Sequence, residues 1–126
     1  MTVLHQPATT GDVLKYELNP NFNRETVTLL AGASYPVGAV LGRITASGLY
    51  KLATSGGSDG AQTAAAVLLT AVDASAADTP GLVVARGPAI VSKAALVFDA
   101  TVDDAAKTAT KHGQLAALGI VPRDTA

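Results

Sequence analysis

Residues 35–52, YPVGAVLGRITASGLYKL, constrain the fold most, because glycines interrupt an apolar, β-branched stretch at short intervals. Inside a strand, glycines such as Gly38 and Gly42 commonly mark a bulge, a bend or the close approach of another backbone. A turn at Ser47–Gly48 then divides the stretch. The pattern therefore predicts a bent hairpin over residues 37–53. The apolar side chains that it offers to a core are Val37, Val40, Leu41 and Ile44.

Strand patterns also flank this hairpin. In residues 24–32, RETVTLLAG, threonines alternate with Val27 and Leu29, the period of two that is typical of a half-buried strand. Residues 64–74, AAAVLLTAVDA, favour a buried strand, although the alanines leave a helix open. LVVARGPAIVSKAALVFD reads as two strands with Gly87–Pro88 either between them or kinking them, since proline cannot donate to a sheet. The sequence thus predicts a mainly β chain.

One stretch has helical character, residues 99–119. Asp103 and Asp104 favour a helix N-terminus, where carboxylates cap free N–H groups and face the positive end of the helix dipole. Gly113 weakens the helix and could divide it in two. Gly119 is typical of the residue after a helix, and the letters IVPR that follow it predict a short final strand.

The composition predicts a single domain with a thin core. The chain has 126 residues, of which 48% are hydrophobic and 15% charged, so disorder of the whole chain is excluded. Alanine, valine and leucine dominate, with 3 Tyr, 2 Phe and no Trp, so each buried side chain removes little area from water. We therefore expect oligomerisation, which adds apolar burial at subunit interfaces.

Charge and hydropathy exclude several classes of function. The formal net charge is −1 and the basic residues do not cluster, which disfavours nucleic-acid binding. No apolar run approaches the roughly 20 residues that span a bilayer, and the first residues lack a secretory signal. We expect no membrane partner and synthesis in a cytoplasm.

The first 23 residues are polar and contain Pro7 and Pro20. The letters NPNFNRE favour turns over a continuous helix or strand. The sequence therefore predicts a flexible N-terminal arm over residues 1–23 and a single domain over residues 24–126.

Reactive groups are sparse and without partners at useful spacing. His5 and His112 lack a second ligand at metal-binding spacing, so solvated surface histidines are the expected interpretation. Three aspartates near residue 103 could bind a hard cation, but capping of the helix explains them without a metal. No serine lies in a nucleophile motif. We expect no catalytic residue, no cofactor and no metal.

The order of segments resembles a known family. A polar arm is followed by NRETVTLLAG, YPVGAVLGRITASGLYKL, GSDGAQTAAAVLLTAVDA, LVVARGPAIV and LAALGIVPR. Together these segments, over about residues 22–123, are similar to the bacteriophage head decoration proteins, the lambda-type capsid-stabilising family.

The resemblance implies a small β-clip-like domain with a short helical element, which assembles as a homotrimer. Its partner would be the major capsid protein on the outside of the expanded phage head, at three-fold and quasi-three-fold positions. The protein would be made in the host cytoplasm, would end in the virion and would not be an enzyme. Its arm would be loosely ordered until it docks on the capsid.

Two sets of residues are candidates for contacts. An arm without its own apolar face gains order by adding a strand to a partner's sheet, which points to the arm and the first strand for capsid binding. Arg86 is a lone charge beside Gly87–Pro88, and either pairs across an interface or lies on a strand edge with its head in water. The capsid candidates are Val13, Leu14, Tyr16, Leu18, Phe22, Arg24, Glu25, Thr26, Val27 and Thr28. The trimer-interface candidates are Arg86 and Pro88.

Two other functions stay open at this point. The first is a small non-enzymatic β-clip binding module, for example one that handles carbohydrate, because a fold does not fix a function. Sugar sites usually present aromatic platforms, and this chain has few aromatic residues. The second, ranked last, is a nucleotide hydrolase that would need a carboxylate and cation site, for example at Asp59.

Overall fold

A computed structural model describes residues 9–124 of the chain. They form a mainly β single domain, which confirms the predicted fold class. The helices are α1 (Thr10–Val13), α2 (Pro20–Asn23), a 3₁₀ turn (Lys93–Ala95) and α3 (Ala105–Ala117). The strands are β1 (Leu14–Glu17), β2 (Arg24–Leu29), β3 (Ser34–Tyr35), β4 (Val40–Arg43), β5 (Tyr50–Leu52), β6 (Ala64–Leu68), β7 (Val72–Asp73), β8 (Thr79–Val84), β9 (Ala89–Ser92) and β10 (Ile120–Arg123).

Five strands close into a barrel in the order β2-β5-β4-β6-β8. The predicted strand in residues 24–32 is confirmed as β2, which runs antiparallel to β8 from Arg24↔Val84 to Leu29↔Thr79. Its alternation has the expected cause, because Leu29 is buried and the two threonines are exposed. Strand β6 confirms the strand interpretation of the alanine-rich segment, and it is buried along most of its length.

The hairpin predicted over residues 37–53 is confirmed by the antiparallel pairing of β4 with β5. The register between β4 and β6 shifts between Leu41 and Gly42, as at a bulge. A Cβ added at Gly42 would lie 2.3 Å from the carbonyl oxygen of Ala61. Glycine therefore permits two backbones to approach closely here, as the sequence pattern predicts.

A second sheet has the order β1-β9-β10. The peptide bond Gly87–Pro88 is cis and lies between β8 and β9, as expected for a break between two strands. Strand β9 pairs antiparallel with β1 and parallel with β10, which confirms the predicted final strand. The third sheet is the pair β3 and β7.

Helix α3 is continuous, so the prediction that Gly113 could divide it is wrong. Its N-cap is Asp104, whose carboxylate accepts a hydrogen bond from the Lys107 N–H at 2.8 Å, as the sequence indicates. On either side of Gly113, Lys111 and Leu115 are buried against the domain. These tertiary contacts outweigh the roughly 1 kcal/mol that glycine costs within a helix.

The core consists of two clusters of small apolar side chains. Tyr35 is the only aromatic residue among the buried side chains of residues 9–124. Val13 also lies in the core with no exposed surface, and β1 is paired with β9. The expectation that the whole of residues 1–23 stands apart from the core therefore fails at Val13. Residues 1–8 lie outside the described part of the chain.

Candidate functional site

The acidic residues near the start of α3 do not gather into a binding site. The Asp99 carboxylate accepts hydrogen bonds from the Thr101 N–H and hydroxyl, at 3.0 and 2.6 Å. Asp103 pairs with Lys107 at 2.8 Å. Within residues 9–124, no group of three or more histidine, cysteine or acidic residues could hold a metal ion. Asp104 alone caps the helix, Asp103 pairs with a lysine of its first turns, and Asp99 stabilises the turn before it, so each aspartate has a local structural role.

His112 is not the solvated residue that the sequence suggests. Its ring packs against Phe98 with a centroid separation of 5.8 Å, and its Nε2 atom is buried without a hydrogen-bond partner. Burial, reinforced by the charge of Lys93, lowers the pKa of the imidazole below its usual value. The His112 ring therefore packs inside the domain and does not lie in solvent. His5 lies outside the described residues.

Among residues 9–124, the three most exposed large apolar side chains lie on β1 and on the segment that joins it to β2. Tyr16, Leu18 and Phe22 are 48%, 60% and 52% exposed, and all three belong to the predicted capsid-contact set. Monomeric proteins seldom expose several large apolar side chains from one short segment. We call these three residues the apolar triplet.

Asn23 fixes α2, which carries Phe22, to the rest of the domain. It is fully buried. Its Nδ2 atom donates to the carbonyl oxygens of Arg86 and Pro88, at 2.9 and 3.2 Å. Its Oδ1 atom accepts from the Asn19 N–H at 2.8 Å. The first two hydrogen bonds attach the segment to the turn that contains the cis proline, and the third closes the segment on itself.

Arg86 joins the two predicted contact sets into one surface. Its guanidinium donates to the carbonyl oxygen of Phe22 at 2.6 Å and lies 5.6 Å from the centre of the Phe22 ring. It also pairs with the Glu25 carboxylate. A cation over an aromatic face is attractive, so Arg86 holds Phe22 in place. In the described chain Arg86 thus has partners within its own subunit.

The remaining predicted residues lie on α1, β1, β2 and the turn before β9, and they differ in their contacts and in their exposure. Arg24 and Glu17 form two hydrogen bonds, at 2.6 and 3.0 Å, that link the end of β1 to the start of β2. Strand β2 meets β5 only at Leu29↔Tyr50. The exposed residues of the set on β2 and the turn are Glu25, Thr26, Thr28 and Pro88; the partly buried ones are Leu14, Arg24, Val27 and Arg86; Val13 is buried.

Two shallow depressions lie around Tyr35. One is bordered by Leu30, Leu52 and Lys51, and the other by Pro36 and Val72. Tyr35 is the aromatic residue common to both, but it is 4% exposed and its hydroxyl donates to the Leu30 carbonyl oxygen at 2.8 Å. It does not present a ring face on which a sugar could stack.

Comparison with known families accounts for nearly the whole chain. The family model of the bacteriophage lambda head decoration protein D matches residues 3–120. The chain belongs to this family. Membership supports a role in capsid decoration and association with the phage capsid. A search of curated proteins found no match.

None of the helices in residues 9–124 is long and apolar enough to cross a membrane.

Sequence reasoning missed the buried polar residues of the described chain, Asn23, Ser92 and Lys111, of which Asn23 and Lys111 have long-range hydrogen bonds. Asn23 stands in the letters NPNFN, where only a turn is indicated, and two of its three partners lie more than 60 residues away. Lys111 is buried, and its ammonium donates to the Gln62 carbonyl oxygen and, at 3.3 Å, to the Gln114 side chain. Neither residue has a local pattern that distinguishes it from a surface residue.

Proposed function

We propose that the protein binds as a homotrimer to the outside of the expanded phage head, at three-fold and quasi-three-fold positions, and cements neighbouring major capsid proteins. The observation that carries the proposal is the match of residues 3–120 to the lambda head decoration family. The protein would act without catalysis, by contact alone. It would be made in the host cytoplasm and end on the outer surface of the virion.

The apolar triplet supports a capsid contact through the segment before β2. Fully burying an exposed side chain of this size contributes roughly 1.5 to 3 kcal/mol, and these three are about half exposed, so each would add about half of that on binding. Exposed Glu25, Thr26 and Thr28 on β2 extend the same surface in sequence. Leu14, Arg24 and Val27 would contribute at its border. Val13 has no exposed surface, so we assign it to the core that supports the contact.

Residues 1–8 precede this surface, and we propose that they add a strand or an extended segment to the capsid protein. Main-chain hydrogen bonds supply affinity in that mode of recognition. The adjoining edge of β2 supports the same kind of contact, because β2 is paired with β5 only at Leu29.

Trimer formation is supported by the small size of the buried side chains. The core contains leucine, valine and alanine with a single aromatic residue among the described positions, so burial between subunits would add what the monomer lacks. We keep Arg86 and Pro88 as interface candidates. Arg86 would act there through the apolar stem and the exposed part of its guanidinium, since its ion pair lies within the subunit.

Stabilisation of the head follows from linkage. A ligand that binds only the expanded lattice favours it by RT ln(1 + [L]/Kd), about 2.7 kcal/mol per site when the free protein is at a hundred times Kd. Repeated over many sites, this resists the outward pressure of packaged DNA.

The proposal is tested with the double variant Leu18→Ser/Phe22→Ser and with Val97→Ser as a matched control. Val97 is also an exposed apolar residue, 36% accessible, but it lies away from the apolar triplet, beside Ala39. We expect the double variant to fold, to remain a trimer and to bind expanded heads at least about tenfold more weakly, which corresponds to 1.4 kcal/mol of the burial estimated above. The control should bind like the original protein. Equal binding by both variants would remove the apolar triplet from the contact, and a monomer that ignores expanded heads would contradict the function.

A further inference from the structure

The dipeptide Asp59–Gly60 lies in the loop between β5 and β6, near the bulged part of the barrel. Aspartate followed by glycine is the sequence in which a backbone nitrogen reaches a side-chain carboxyl most readily, because glycine has no Cβ to hinder the approach. The loop is therefore a candidate site for a rearrangement of the backbone through a cyclic imide, a reaction that needs no reagent other than water.

The reaction conserves all atoms of the chain. The amide nitrogen of Gly60 attacks Cγ of the protonated Asp59 carboxyl group, an N–Cγ bond forms, and the carboxyl OH and the amide proton leave as water. Water then adds to the resulting five-membered imide. If the bond from nitrogen to the main-chain carbonyl carbon breaks, the chain runs through Cγ as isoaspartate. If the N–Cγ bond breaks, aspartate returns.

Glycine cannot be replaced at this position without disturbing the loop. Gly60 has a φ of +104°, a conformation that side chains of L-residues rarely adopt. A Cβ there would lie 2.3 Å from Thr45 Oγ1 and 2.6 Å from the Arg43 carbonyl oxygen. The fold thus requires the residue that makes the dipeptide reactive.

Four contacts oppose the reaction in the folded chain, and in one of them the Gly60 N–H, the attacking group, donates to Gln62 Oε1 at 2.8 Å. The Lys51 ammonium lies 2.9 Å from Asp59 Oδ2. The Ala61 N–H donates to Asp59 Oδ1 at 3.0 Å, and the Thr45 N–H donates to the Asp59 carbonyl oxygen at 2.8 Å. Hydrogen bonds from Lys51, first, and Ala61 hold the pKa of Asp59 below its usual value. An ionised carboxylate is a poor electrophile and has no OH to lose, so the pair with Lys51 protects it.

We infer that Asp59–Gly60 is a site of spontaneous isomerisation to isoaspartate, and that the ion pair with Lys51 holds it in the aspartyl form. The product has one more methylene carbon in the main chain, at residue 59, two residues before Ala61. Ala61 is fully buried and its backbone lies against Gly42. Isomerisation would therefore loosen the junction of β4, β5 and β6. The inference concerns the chain itself and does not depend on the proposed function.

The test is accelerated ageing of Lys51→Met at neutral pH and physiological temperature. Isoaspartate is measured by labelling with protein isoaspartyl methyltransferase and located by mass spectrometry of the peptides. The matched control is Lys107→Met, which breaks the exposed pair with Asp103, a residue that is followed by aspartate rather than glycine. We expect label at Asp59 to accumulate about two- to fivefold faster in Lys51→Met, the range that loss of an exposed ion pair supports. Lys107→Met and Lys51→Arg should age like the original chain.

Two further measurements separate protection by Lys51 from loss of folding. The variant Lys51→Met/Asp59→Glu should lose the label, because a glutamate forms the larger ring far more slowly. The free peptide of residues 56–62, GGSDGAQ, should age faster than the folded original protein. Equal rates for the peptide and the folded chain would overturn the protection. Equal labelling of Lys51→Met and the original chain would overturn the role of Lys51, and label that persists without Asp59 would overturn the site.

Discussion

Replacing Asn23 by alanine should separate the segment that carries the apolar triplet from the rest of the domain. The side chain is buried and forms three hydrogen bonds, two to the carbonyl oxygens of the turn at residues 86–88 and one from the Asn19 N–H. Alanine removes all three. The Arg86 oxygen and the Asn19 N–H then lose these partners inside the protein, whereas the Pro88 oxygen keeps the Leu18 N–H at 3.3 Å.

The expected loss of stability follows from these contacts. A buried polar group that is left without a partner costs about 1 to 3 kcal/mol. Two such groups would give about 2 to 6 kcal/mol, and access of water, since Asn19 is exposed and Arg86 only partly buried, reduces the figure toward the lower end. We therefore expect the free energy of unfolding to fall by about 3 kcal/mol. Asn23→Asp should be at least as damaging, because a carboxylate cannot donate to the two carbonyl oxygens.

The assay is urea denaturation followed by circular dichroism, with Asn21→Ala as the control. Asn21 is exposed and lies on the same short helix, and its side chain has no hydrogen bond that the variant would break. The control should change stability by less than about 0.5 kcal/mol. If Asn23→Ala lost less than about 1 kcal/mol at an unchanged m-value, the attachment of α2 through Asn23 would be refuted.

Three other predictions concern the described domain and its ends. Deleting residues 1–8 should leave the melting temperature unchanged, whereas deleting residues 1–17 should lower stability by at least the roughly 1.5 to 3 kcal/mol of Val13 burial, as measured by calorimetry. Gly42→Ala should destabilise by about 3 kcal/mol in urea titration, the upper end of the usual cost of overpacking, because its Cβ would collide with the Ala61 backbone, and a loss below about 1 kcal/mol would contradict the close approach. Burial lowers the pKa of Lys111 from its usual value of 10.5. As pH rises, the folded chain therefore loses this proton before the unfolded chain does, and the free energy of unfolding increases between the folded pKa and 10.5. Lys111→Met should lack this gain when unfolding is measured from neutral to alkaline pH, and an identical pH profile would refute the assignment.

The elements that could be predicted from the sequence are those whose residue pattern depends on near neighbours in the chain. The glycines at 38 and 42 mark the bent hairpin, the threonine alternation marks β2, and Asp104 and Gly119 bound α3 within two residues. Each of these signals acts between near neighbours in the chain. The expected break at Gly113 failed because burial of Lys111 and Leu115, a tertiary effect, holds the helix together.

The placement of residues 9–23 could not be predicted, because their elements are four residues long and depend on distant partners. Strand β1 exists through its pairing with β9, more than 70 residues away. Nothing near Val13 distinguishes it from an arm residue. The candidate contact residues were identified separately, and only the structure brings Phe22 and Arg86 together across 64 positions of the chain.

The central claim, that this protein decorates phage heads, is tested most directly by sedimentation of the purified protein with expanded and unexpanded heads of the phage that encodes it. The account predicts saturable binding to expanded heads, in threes at each three-fold and quasi-three-fold position, and no binding to unexpanded heads. Absence of binding to expanded heads, or equal binding to both forms, would contradict it.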